Sequence, residues 1–148
     1  MNIKEFKLLL DNSSELYGFE KYFGGWIKAS TECIAVLELQ KSKFGNFYYL
    51  NIKIYIKGLF KRNYMPSKEL IKNPMGDLTS RETQLRNSTF NLDDPITDEQ
   101  RKDDLEKILD TIIMPFVNQT STRSGILELA SQNKIFLLPA VKEELGVE

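Results

Sequence analysis

The sequence predicts an α+β fold: a mostly antiparallel sheet of about four or five strands, with an N-terminal helix and C-terminal helices packed on one face. Three observations predict it. An amphipathic stretch opens the chain, two alternating runs flank a short turn-rich segment in "LELQKSKFGNFYYLNIKIYIKG", and the clearest helical periodicity follows Pro95. Helix, strands and helices therefore come in blocks, whereas a parallel sheet would need strands and helices in alternation.

Ile3, Phe6, Leu9 and Leu10 recur at helical spacing and "DNSS" before Tyr17-Gly18 supplies a stop, so residues 2 to about 12 are expected to form a helix lying as a lid on the core. In "GFEKYFGGWIKAS", Gly24-Gly25 separates two aromatic segments. Both glycines can take positive φ without a Cβ clash, which predicts a two-residue hairpin centred on them. Residues 33–40 form an apolar strand that becomes polar at Glu38 and Gln40. From Phe47 to Lys57 the alternation is cleaner: Tyr48, Leu50, Ile52, Ile54 and Ile56 share one face, and Tyr49, Asn51, Lys53, Tyr55 and Lys57 the other. The first face is expected to pack on helices and the second to meet water or a ligand. These two strands should pair antiparallel through "KSKFGN".

Residues 58–78 show no sustained period and contain two prolines and two glycines, the mark of a long loop that is either functional or disordered. "TSRETQLRN" alternates loosely and reads as a returning strand, with Thr79, Arg81, Thr83 and Leu85 opposite Ser80, Glu82, Gln84 and Arg86. Thr97 and Gln100 then match a capping box, with Asp98 and Glu99 in the first turn where the helix dipole favours anions. Leu105, Ile108, Leu109, Ile112, Ile113 and Phe116 trace one apolar stripe, and Pro115 is expected to end that helix. "STRSGILELASQN" predicts a shorter helix and "PAVKEELG" a last one, opened by Pro139 and closed by Gly146. One domain over residues 1–148 accommodates all of this, since a single core commonly spans about 100 to 150 residues.

Composition narrows the chemistry. The chain has no histidine, which removes Ser-His-Asp and Cys-His catalysis and imidazole metal sites together. Cys33 is the single cysteine, so neither an intramolecular disulfide nor a cysteine-rich zinc site exists, and its apolar setting predicts a buried, inert thiol. No glycine-rich phosphate loop appears, and no cofactor is called for. The N-terminus lacks a continuous apolar signal segment and no run reaches the roughly 18 residues of a membrane span, so a cytoplasmic protein off the membrane is expected.

The segments "GF", "WIK", "LELQKSKFGNFYYLNIKIYI", "SRETQL" and "IMPFVNQTSTRSGILEL" together resemble the family called domain of unknown function 4304, over roughly residues 6–130. The stretch "QKSKFGNFYYLNI" carries most of the likeness. The resemblance implies a bacterial cytoplasmic α+β domain, and the family label brings no activity or catalytic residue with it.

The candidate binding surface is Gln40, Lys41, Ser42, Lys43, Tyr49, Asn51, Lys53 and Tyr55. "QKSKFGN" has the composition of an ordinary turn, yet Lys41 and Lys43 beside Ser42, with Asn51 and Lys53 nearby, would suit a phosphate or an acidic partner. Gln40, a polar amide ending an apolar strand, needs a defined partner. Residues 41–72 hold eight basic side chains against Glu69, a local balance of plus seven, while residues 93–110 hold eight acids against three basic residues, a balance of minus five. Phe44, Tyr49, Tyr55, Phe60 and Tyr64 interleave with the lysines, as in single-strand nucleic-acid binders. The favoured reading is non-catalytic binding of a protein partner, of the immunity or accessory type, through the polar sheet face and the long loop. Nucleic-acid binding through residues 41–64 is the alternative, and a small histidine-free enzyme, whose acids would come from the solvated run 98–106, is the third.

Overall fold

The structure, a computed structural model, describes residues 1–81 and 88–146. Five strands form one antiparallel sheet in the order β1-β2-β3-β4-β5: β1 (Glu20–Tyr22), β2 (Gly25–Ala29), β3 (Cys33–Lys41), β4 (Tyr48–Ile56) and β5 (Leu78–Arg81). The β3–β4 ladder runs from Cys33↔Ile56 to Lys41↔Tyr48, the antiparallel pairing expected from the two alternating runs. The β1–β2 turn differs from expectation by one position. Phe23 and Gly24 take the two positive φ angles, 45° and 85°. Gly25 instead starts β2, where an added Cβ would lie 2.8 Å from Ile71 Cδ1 and from the Leu37 carbonyl oxygen. The second glycine is there for close packing, not for turning.

The helices are α1 (Ile3–Glu15), α2 (Lys68–Lys72), α3 (Asp98–Ile108), α4 (Met114–Gln119), α5 (Arg123–Ser131) and α6 (Pro139–Glu144). Apart from α2, they contribute to a core on one sheet face, where Phe6, Leu10, Leu105, Leu109, Ile113, Val117, Ile126 and Val141 meet Leu37, Leu50, Ile52, Ile54 and Ile56. Asp11 fastens α1 to the first hairpin by accepting from Trp26 Nε1 at 2.9 Å and pairing with Lys21 at 3.1 Å. That helix runs three residues past its expected end, because Ser13 and Ser14 are buried and the Ser14 hydroxyl donates back to the Leu10 carbonyl. Among the described residues no helix is long and apolar enough to cross a membrane.

Thr97 caps α3 as its sequence predicts, accepting from the Gln100 N–H at 3.0 Å. Pro115 does not end the helix. A proline inside a regular helix lacks the N–H for its own turn and its ring collides with the carbonyl four residues back. Here α3 passes through a π turn, Leu109–Ile113, and Pro115 falls in the opening turn of α4. A π turn inserts one residue. The buried stripe accordingly moves by one, so that beyond Leu109 the core receives Ile113, Met114 and Val117, while Ile112 and Phe116 are only half-buried.

The second sheet face is where expectation and structure part. It is not open to water along its length: Asn51, Lys53 and Tyr55 are all buried. Residues 57–77 form an ordered strap across it, with a 3-10 turn at Leu59–Lys61 and then α2, and Leu70 and Ile71 seal a smaller core of Ile27, Ile34, Val36 and Tyr55. Burial of two aliphatic side chains of this size is worth about 1.5–3 kcal/mol each. The returning strand exists as β5, and its expected continuation through residues 82–87 lies outside the described residues. Arg101, one of the three basic residues within the acidic run 93–110, is buried and donates to the carbonyls of Ser88 (2.6 Å), Thr89 (2.8 Å), Asn91 (3.0 Å) and Asp94 (3.2 Å). It gathers the irregular chain ahead of its own helix.

Candidate functional site

The second face divides into an apolar half under the strap and a polar half beyond it. With the β3–β4 turn at residues 42–47, the register places Glu38 opposite Asn51 and Gln40 opposite Tyr49, while β5 adds Arg81 beside Asn51 and Thr79 beside Lys53. Asn51 Nδ2 donates to Gln40 Oε1 at 2.9 Å and sits 3.4 Å from Glu38 Oε1. Gln40 thus has the partner its position demands. Lys53, 1% exposed, pairs with Glu38 at 3.1 Å and donates to the Ile71 carbonyl at 2.6 Å. Glu38, Leu39, Gln40, Asn51, Pro74 and Thr79 line an open cleft of about 560 Å³.

Next to it the β3–β4 turn is held in place. The buried Ser42 pairs its N–H with the Phe47 carbonyl (2.9 Å) and accepts the Phe44 N–H on its hydroxyl (3.0 Å). Asn46 joins the turn to the chain before α3, its carbonyl accepting the Leu92 N–H at 2.9 Å and its amide donating to Asp93 at 3.1 Å. The result is a fixed tip on which Lys41 and Lys43 are exposed and Phe44 is 89% exposed. Tyr49 is half-buried, edge-on to Phe47 with ring centroids 5.8 Å apart.

Of the eight sequence-selected residues, the structure brings Gln40 and Asn51 into the cleft, places Lys41 and Lys43 on the tip, makes Ser42 the turn's internal brace, sets Tyr49 half-buried against Phe47, and puts Lys53 and Tyr55 beneath the strap. Burial holds the Tyr55 hydroxyl up at about 12, and that hydroxyl donates to the Leu70 carbonyl at 2.8 Å. Sequence reading overlooked Glu38, Pro74 and Thr79 as lining residues. The hairpin register was the available signal for Glu38, since fixing the turn at 42–47 pairs it with Asn51.

Elsewhere the chemistry is sparse. Burial pushes the Cys33 thiol up to about 12, which leaves it protonated and inert. Among the described residues no group of three or more Cys, Asp or Glu is placed to hold a metal ion. A second cleft, about 380 Å³, lies along β5 and is lined by Met75, Phe116, Ile135, Phe136 and Leu138, with Phe136 75% exposed.

This is an α+β protein of the antiparallel meander type, helices on one face and a strap over half the other. The profile of the family described as Domain of unknown function (DUF4304) matches residues 15–119, from the end of α1 to the end of α4, and the chain belongs to that family. Neither a curated protein nor a solved structure matches the chain.

Proposed function

We propose that the chain is a non-catalytic binding domain that engages a protein partner through the β3–β4 tip and the adjoining polar cleft. The observation that supports this reading is Phe44, an aromatic ring 89% exposed on a braced turn that also carries two exposed lysines. Aromatic anchors dominate interface energetics, and a turn already fixed in its bound shape loses little conformational freedom on association. Lys41 and Lys43 favour a partner whose pocket for the ring has an acidic rim. An immunity-type or accessory protein of the cytoplasm fits this arrangement, since such proteins act by surface complementarity alone.

The nucleic-acid reading loses support from the same geometry. Lys53 is committed to Glu38 and Tyr55 is buried, so the basic segment presents fewer charges and rings than its sequence suggests. The deciding experiment places a photo-crosslinking amino acid at position 44 in cells. A discrete protein adduct that disappears with Lys41→Glu plus Lys43→Glu, while the melting temperature stays within about 2 °C of the parent, is expected. Adducts that are absent, diffuse, or indifferent to the charge reversal overturn the reading.

A further inference from the structure

We infer that the strap between Arg62 and Gly76 is a lid that opens as a unit while the sheet stays folded, uncovering the apolar face of Ile27, Ile34 and Val36 with the Lys53 amine at its edge. This feature is independent of the hairpin tip.

Among the described residues, the bonds that fasten the lid come chiefly from side chains on β4 and from Asp77, the residue before β5. Lys53 Nζ reaches the Ile71 carbonyl, Tyr55 Oη the Leu70 carbonyl, and Asp77 accepts from the Tyr64 hydroxyl at 3.2 Å and the Ile56 N–H at 2.9 Å. Its only helix, α2, has five residues, too few to be stable without the sheet beneath it. Both ends suit a pivot. At the first, Gly58, Phe60 and Lys61 have φ of 81°, 54° and 60°, a left-handed run in which two members are not glycine and are therefore strained. The Phe60 N–H is pinned to Glu144 (3.1 Å) and the Lys57 carbonyl to Arg123 (2.8 Å), so movement begins after them. At the second, Gly76 is clamped against β4, where a Cβ would lie 2.9 Å from the Ile54 carbonyl oxygen, and Pro74 and Met75 between it and α2 are exposed.

Opening also rehydrates the Lys53 amine, whose burial is costly, and this offsets part of the lost contact between Leu70, Ile71 and the sheet. Local openings of this kind lie below the global unfolding free energy and depend weakly on denaturant, because they expose little surface.

Lys53 reports the motion. It is 1% exposed when the lid is shut, so acylation by a water-soluble amine reagent, read by mass spectrometry on the full chain, requires opening. The expected Lys53 rate is flat across low urea concentrations, far below the unfolding transition, and rises about fivefold or more in Tyr55→Phe, which deletes one latch and keeps the ring. A Lys53 rate that follows the global unfolding curve from zero urea, in the parent chain alone, overturns the lid. So does a flat rate that Tyr55→Phe leaves unchanged, since opening would then bypass the latch.

Discussion

At the scale of single residues, the outcome turns on what covers a side chain. Tyr49 and Tyr55 lie on the same face of β4, and alternation alone assigns them one fate. The strap gives them two: Tyr55 is buried and Tyr49 is not. Tyr55→Ala is therefore expected to cost about 3–5 kcal/mol, the range for emptying a buried aromatic site, and Tyr49→Ala about 1 kcal/mol, with urea midpoints as the measurement. Asp77 offers a test by pH. Burial raises its carboxyl above the usual range, more than its bonds to Ile56 and Tyr64 lower it. A carboxyl whose folded value exceeds its unfolded one contributes stability that is fully present below the unfolded value, about 3.9, and is lost as pH rises through the folded value. Asp77→Asn keeps the size and removes the titration. Its stability relative to the parent should climb as pH rises from about 4 through the folded value, and a difference that stays constant with pH would remove burial as the cause. Lys53 shows why this scale was hard to read in the sequence: a charged residue at an outward-facing position is ordinarily solvated, and here its counter-charge, Glu38, lies on another strand.

For whole elements, periodicity was informative and its interruptions were not. The Thr97 cap of α3, the two C-terminal helices and the β3–β4 pairing follow from local rules and are present, whereas the Gln100 side chain donates to Asp104 at 2.8 Å. By the same rules Pro115 predicts a stop, whereas the helix absorbs it by widening one turn. No residue pattern distinguishes those two solutions in advance, because the choice depends on whether the core can use a stripe displaced by one position. The displacement is testable. Met114→Ala is expected to cost about 2–4 kcal/mol, and Ile112→Ala less than about 1.5 kcal/mol because the side chain it shortens is already half in water. A regular helix would reverse the order of Ile112 and Met114.

On the scale of the molecule, the sequence counts give a net charge of −1 and segments of opposite sign, and the fold decides how much of each segment faces outward. The acids at 98, 99 and 103 are exposed on α3, as a solvated helix face should be. On the basic side Lys41 and Lys43 are exposed and Lys53 is not. Single-stranded nucleic acid should consequently show no tight binding in fluorescence anisotropy at physiological salt; a high-affinity complex whose log K falls steeply with log salt would reinstate that reading. The candidate site was half legible. Its polar groups were visible as residue types, but the cleft exists because a segment without periodicity stops short of the sheet's end, and that stopping point is a tertiary fact.

Each strand lies beside its neighbour in the chain, and this order carries a consequence for how the protein assembles. A meander closes by successive hairpins, so the entropy of bringing partners together is small for the first four strands. β5 is the exception, because residues 57–77 must be looped across the sheet before it can pair with β4. The assembly thus has a built-in sequence of events: a four-stranded nucleus forms early and the fifth strand docks late. Pulsed hydrogen exchange during refolding should protect the amides of β2, β3 and β4 before those of β5. Simultaneous protection of all four would mean that the loop is closed in the rate-limiting step itself.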